Sequence, residues 1–301
     1  MSETREAAFW ESANNRDVLC GLCPHRCHIA TNKAGICGAR ANKGGRLVAL
    51  GYGQVSSLAL DPIEKKPLYM FHPGKKILSV GGFGCNLKCP FCQNFEISTR
   101  TPWDNAITRD VAAKQTARRH PNVTPDEIAT IATHYVSDGN IGLAYTYNEP
   151  LIGFEFLFDC ATAVRDAGLE NVIVTNGYIN RAPLENLLPL IGAMNIDLKG
   201  FTNSFYEKLG GKLEPVMETI AVSSKQCHIE VTTLVIPEEN EDDIEEIAKW
   251  LSSIDPEIPL HISRFFPRYL YSDKKPTPRA TMYKLADIAK RYLSNVFLGN
   301  I

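Results

Sequence analysis

Along most of its length the chain alternates between short apolar runs and longer stretches in which apolar side chains return every three or four residues. Ile77-Leu78-Ser79-Val80 is one such run, and it ends in the glycine cluster Gly81-Gly82-Phe83-Gly84. Four to six apolar residues closing on glycines read as a buried strand entering a tight loop. Further on, Thr124-Pro125-Asp126-Glu127 has the marks of a helix start: an N-cap, proline at the first position and acids in the first turn. Ile128, Ile131 and Tyr135 then repeat at helical spacing. The pattern predicts strands over 141–147, 171–175, 193–198, 228–235 and 259–263, and helices over 151–167, 180–190, 203–209, 214–224, 239–253 and 279–293. Val296-Phe297-Leu298 is expected to add a final strand. Six βα units, counted from the strand before Cys85, imply parallel strands with right-handed crossovers, an α/β chain forming a partial or closed barrel. Residues 1–72 read as a small N-terminal cysteine-rich module and 73–301 as the barrel. Within the module, 3–14 reads as a short helix displaying Phe9 and Trp10, and 46–51 as a small strand after the Gly44-Gly45 turn.

The loop after the glycine cluster presents three thiols, Cys85, Cys89 and Cys92. Thiolate is a soft ligand that selects zinc, copper(I) or iron–sulfur clusters. A structural zinc normally closes with four ligands. Three cysteines in one loop instead suit three irons of a [4Fe-4S] cube, leaving the fourth iron open to a substrate or cofactor; zinc completed by a distant ligand is the competing occupant. Earlier in the chain, Cys20, Cys23, Cys27 and Cys37 place four more thiols within eighteen residues. They read as a second metal site, and softness alone does not separate zinc from a second iron–sulfur cluster; thiols without metal are the third reading.

The run Gly84-Cys85-Asn86-Leu87-Lys88-Cys89-Pro90-Phe91-Cys92-Gln93-Asn94-Phe95-Glu96-Ile97-Ser98 resembles the cluster loop of the radical S-adenosylmethionine (SAM) superfamily, and within it the AmmeMemoRadiSam-system radical SAM enzymes, relatives of the pyruvate formate-lyase activating enzymes. The segment Ser57 to Tyr69 resembles what that family carries before its cluster strand. The resemblance implies a partial (β/α)6-type radical SAM TIM barrel, a [4Fe-4S] cluster and SAM. It also implies reductive cleavage of SAM to a 5′-deoxyadenosyl radical that abstracts hydrogen from a substrate. A low-potential electron donor such as flavodoxin or ferredoxin is the expected partner. The substrate stays open between a protein, as in glycyl-radical-enzyme activation, a small molecule and RNA. The strand 77–84 lacks the arginine usual in pyruvate formate-lyase activators, which separates this chain from them.

In such barrels, functional groups gather at the C-terminal strand ends. The second strand ends in Tyr145-Thr146-Tyr147-Asn148-Glu149-Pro150, where Pro150 keeps Glu149 extended at the strand exit. Glu149 can there accept from the ammonium of SAM. Tyr147-Asn148 stand where the superfamily's Gly-Gly-Glu-Pro motif has its glycines. The resemblance adds Thr175 and Asn176 after the third strand, Asp197 and Lys199 after the fourth, and His261 on the sixth. Period-two geometry puts Asp197 and Lys199 on one face, where opposite charges need each other or a polar ligand. Arg264 is placed to reach an anion, and Phe266 stands where close relatives have histidine.

The chain has 301 residues, 44% hydrophobic and 22% charged, with a formal net charge of −2, an ordinary globular composition without a general basic footprint for nucleic acid. The N-terminal residues have no apolar signal core behind them, so no membrane association and a cytoplasmic location are expected, where nine cysteines favour metal ligation over disulfides. Lys65 and Lys66 fit either a solvated turn or the active-site mouth. Residues 99–123, with Lys114, Arg118, Arg119 and His120, fit a solvated helix face or a docking flap. The rival class to the enzyme is a non-catalytic zinc-binding interaction protein.

Overall fold

The structure, a computed structural model, describes residues 5–100 and 122–301. The basic residues Lys114, Arg118, Arg119 and His120 therefore lie outside the described residues. Near the N-terminus, strands β1 (Trp10–Ser12), β2 (Val18–Cys20) and β3 (His28–Ile29) form an antiparallel sheet, and β4 (Arg40–Lys43) and β5 (Arg46–Ala49) form a hairpin. The expected helix over 3–14 is not formed in its described part. Instead Ala7 donates its N–H to Leu47 and Ala49 donates to Arg5, both at 2.9 Å, so the backbone there is committed to strand pairing. Phe9 takes a left-handed φ of 53°, which turns the chain and sets its ring edge-on against Phe154.

The main sheet runs β6 (Ser57–Pro62), β7 (Lys76–Gly81), β8 (Asn140–Tyr145), β9 (Glu170–Thr175), β10 (Ala193–Asp197), β11 (His228–Val235), β12 (Leu260–Arg264) and β13 (Val296–Gly299) in sequence order. Strands β7 to β13 are all parallel and β6 is antiparallel to β7, so the sheet is an open, partial barrel with β6 and β13 at its edges. Segment 57–62, grouped on sequence with the N-terminal module, is thus the barrel's edge strand. Ile77, Leu78, Leu143, Val172, Ile173, Met194, Ile196, Val231 and Ile262 are buried along these strands, as strands covered on both faces require.

The helix Pro125–His134 starts where the sequence predicts. Thr124 accepts from the Glu127 N–H at 3.2 Å, while Glu127 accepts from the Thr124 N–H at 2.8 Å, a reciprocal cap. Its buried stripe is Ile128, Ala129 and Ala132, and truncating Ile128 to alanine would cost about 3 kcal/mol. The acidic helix starts later than expected, at Ile244, after a 3₁₀ turn over Glu241–Asp243.

The segment 63–72 plugs the N-terminal end of the barrel. Ile63 and Leu68 are buried against Ile77, Ala144, Val172 and Ala193. Asn195 donates to the Pro67 carbonyl at 2.9 Å, and the Glu230 carboxylate accepts the N–H groups of Tyr69 and Met70 at 3.0 and 2.8 Å. With this end stopped, the opposite end, where the strands finish, is left for chemistry. No helix among the described residues is long and apolar enough to cross a membrane.

Candidate active site

Strand β7 delivers the chain to Gly84, whose φ of +87° favours glycine and whose Cα faces the Cys37 carbonyl so closely that a Cβ would stand 2.6 Å from that oxygen. The next eight residues form the cysteine loop. Asn148, from the end of β8, staples it: its Oδ1 accepts from the Gly82 N–H at 2.8 Å and its Nδ2 donates to the Gly84 carbonyl at 3.1 Å. Asn86, buried within the loop, donates to the Tyr178 carbonyl at 2.8 Å and accepts from Asn176 at 2.9 Å.

Cys85, Cys89 and Cys92 line one cleft of about 290 Å³ together with Glu149, Asn176, Asp197 and Lys199. The lining holds no fourth thiol and no histidine. Burial pushes the Cys89 thiol up to about 11, and burial, with Glu149 and Cys89 nearby, pushes Cys85 well above the ordinary thiol value. Left to themselves these sulfurs keep their protons, whereas a bound metal would take them as thiolates. Three sulfurs sharing a cleft with carboxylate and ammonium groups, and no fourth thiol or histidine among the described lining residues, have the donor chemistry of a cluster with one iron open to a charged cofactor.

Glu149 is buried at the start of the 3₁₀ turn Pro150–Gly153. It accepts from the N–H of Leu151 at 2.9 Å, the hydroxyl of Thr175 at 2.7 Å and the N–H of Asn176 at 2.8 Å. Burial outweighs these three donors and raises its pKa to about 7. No cation bonds to it among the described residues. Lys199 donates to Asp197 at 2.9 Å. Burial works against the Lys199 charge, but Asp197 and the Cys89 sulfur prevail and hold it protonated. Asn176 sits between, its Nδ2 3.6 Å from the Cys85 sulfur.

His261 does not join them. It is the second residue of β12, near the closed end, with Nε2 2.5 Å from Glu230 and its ring edge-on to Tyr69. Two residues nearer the strand's C-terminal end, Ser263 lines the cleft in its place. Arg264 is also engaged otherwise, donating to the Thr277 carbonyl at 2.7 Å with its guanidinium 4.7 Å from the Phe266 ring centre. Phe266 is exposed.

Sequence reasoning left out a group beside the cleft. Tyr147 occupies a position of φ +74°, which suits the superfamily's glycine better. Its hydroxyl donates to Asp61 at 2.8 Å and its carbonyl accepts from Asn94 at 2.7 Å, while the buried Lys66 donates to Asp61 at 2.9 Å and lies 4.7 Å above the Tyr147 ring. Burial alone would raise Asp61, but Lys66 and Tyr147 hold it at about 2. Lys65 also donates to Asp61, at 3.3 Å from the exposed side, so of the two lysines only Lys66 is buried in the group. The local signal was Lys66 itself, beside an aspartate on a strand the alternation did not reveal.

A family model described as the radical SAM superfamily matches residues 79–251. An uncharacterized protein of Methanocaldococcus jannaschii is 39% identical over 302 residues, covering 99% of this chain and 85% of its own. A putative glycyl-radical enzyme activating enzyme of the same organism is 25% identical over 245 residues, covering 76% of this chain and 91% of its own. Among solved structures, QueE of Escherichia coli shares the fold with a TM-score of 0.51 at 13% identity, over 81% of this chain and 92% of that one.

Proposed function

We propose a function from the premise that this chain belongs to the radical SAM superfamily: Cys85, Cys89 and Cys92 hold a [4Fe-4S] cluster, and the cleft beside them holds SAM. Bound there, these groups supply one chemistry, a one-electron cleavage of the sulfonium that yields methionine and a 5′-deoxyadenosyl radical for hydrogen abstraction. The chain's own work is binding and orientation. Glu149, ionised by the arriving ammonium, fixes the amino group through a charge-assisted bond. Lys199 takes the carboxylate and Asp197 the ribose hydroxyls. Asn176 orders the cysteine loop through Asn86 and lies against the Cys85 sulfur. Lys66, Asp61 and Tyr147 hold the turn that presents Asn148 and Glu149.

One observation carries this reading: three thiols share a single cleft with a buried carboxylate that no cation of the described residues touches. A low-potential donor of the flavodoxin or ferredoxin kind supplies the electron. Kinship with a glycyl-radical activating enzyme supports a protein as hydrogen donor, with small molecules as the other substrate class. The thiols of Cys20, Cys23, Cys27 and Cys37 form a second metal centre.

The test is anaerobic reconstitution with iron and sulfide, reduction, and chromatography for 5′-deoxyadenosine after SAM is added. The wild-type chain yields the nucleoside and Cys89→Ala yields none. Iron-loaded, reduced protein that neither binds nor cleaves SAM overturns the proposal.

A further inference from the structure

We infer that Cys20, Cys23, Cys27 and Cys37 bind a second iron–sulfur cluster in electron-transfer contact with the Cys85 loop. The contact's purpose rests on the function proposed above; the identity of the second centre does not.

The first argument is that donors and a buried cation reach these sulfurs. Cys20, Cys23 and Cys37 are buried and Cys27 half-buried. The backbone N–H groups of His25 and Ala39, in each case two residues on, favour thiolate at Cys23 and Cys37. In the other loop the Leu87 N–H donates to the Cys85 sulfur at 3.3 Å. Such N–H···S bonds tune cluster potentials. A buried guanidinium completes the arrangement: Arg40 places Nη1 3.4 Å from the Cys20 sulfur and pairs through Nη2 with Glu155. A cation in an apolar interior needs anions, and here one is a carboxylate and the other a cysteine.

The second argument concerns electron chemistry. Zinc has no redox state to offer, so a zinc here would make no use of a contact with the Cys85 loop, whereas an iron–sulfur centre would.

The third argument is contact. The Cys37 carbonyl packs on Gly84, the residue before Cys85, and His25 donates through Nε2 to the Asn86 carbonyl at 2.7 Å. His25 also stacks edgewise on Tyr178, which Asn86 grips from the other side. The ligand loops of the two centres therefore touch. Electron flow balances without a proton or a bond change. A reduced low-potential protein donor gives one electron to the second cluster, which returns to its oxidised form as the Cys85 cluster is reduced by one.

Metal analysis and magnetic resonance test this on the reconstituted full chain. The wild type is expected to hold about eight irons and eight sulfides, and the Cys85→Ala/Cys89→Ala/Cys92→Ala variant about four. Zinc in that variant, or no metal, overturns the inference. A Cys23→Ala/Cys37→Ala variant without iron, beside a triple variant that keeps its four, would instead defeat the function proposed above. Reduced wild type is expected to show two interacting paramagnets, and isolated signals overturn the contact. With reduced flavodoxin as donor, the rate of reducing the Cys85 cluster is expected to fall more than tenfold in the Cys23/Cys37 variant, while dithionite reduces it as before. Should that variant not fold, the triple variant and the wild-type spectrum decide alone.

Discussion

The barrel buries a glutamate at each end, and the two have opposite fates. Glu230, at the plugged end, is 0% exposed; Glu149, at the open end, is 3% exposed. Burial pushes both upward. Glu230 nevertheless ends at about 2, because His228, His261 and the N–H groups of Tyr69 and Met70 converge on it. Glu149 has three donors, none of them cationic, and ends near 7. One carboxylate is ringed by histidines and backbone N–H groups of the fold, and the other meets no histidine, lysine or arginine among the described residues. Under the proposed function, the difference separates the end that is architecture from the end that binds.

The sharpest way to break this contrast is at the closed end. Glu230→Ala strands two backbone N–H groups and His261, and is expected to destabilise the chain by about 3 kcal/mol, read as a lower denaturant midpoint with SAM affinity per folded molecule unchanged. At the open end, Glu149→Gln keeps one oxygen acceptor, so it should lower the midpoint less than Glu230→Ala does, yet weaken SAM binding by about 2 kcal/mol, roughly 30-fold in Kd by calorimetry. If Glu149→Gln instead unfolds the protein, the two carboxylates are alike and the contrast fails.

Acidity sharpens it further. Glu149 must lose its proton to meet an ammonium, and its raised pKa of about 7 means that it is protonated below neutrality. The apparent Kd for SAM is therefore expected to rise about tenfold per pH unit on descending below 7, and to be flat above it. Glu149→Gln should abolish that slope. Glu230, ionised throughout this range, contributes nothing to it. The smallest effect is expected from Tyr147→Phe. Losing the hydroxyl bond to Asp61 costs about 1 kcal/mol of stability, with a few-fold rise in the KM for SAM while turnover at saturation holds.

Much of this was legible beforehand. From residue 125 onward, period and capping located nearly every strand and helix, because each short βα unit carries its own signal. The three thiols, Glu149, Asn176, Asp197 and Lys199 were named from strand ends and from resemblance, and the fold brings them to one cleft. His261 was misplaced, for a reason the same periodicity contains: residues two apart share a face but differ in depth, and Ser263 is the one that reaches the cleft. The N-terminal helix failed because pairing with β5 overrides local pattern. Arg40 with Glu155, and Asp61 with Tyr147, join positions 115 and 86 apart, and no local window contains both members of such a pair.

The plug has a consequence for biosynthesis. A ribosome releases Tyr69 and Met70 long before the carboxylate that caps their amides, which follows 161 and 160 positions later. Until that residue emerges, the early strands have a floor that cannot be fastened, and a nascent chain halted before it carries an unseated lid. Chaperone demand and protease sensitivity during translation should therefore drop in one step as β11 leaves the exit tunnel.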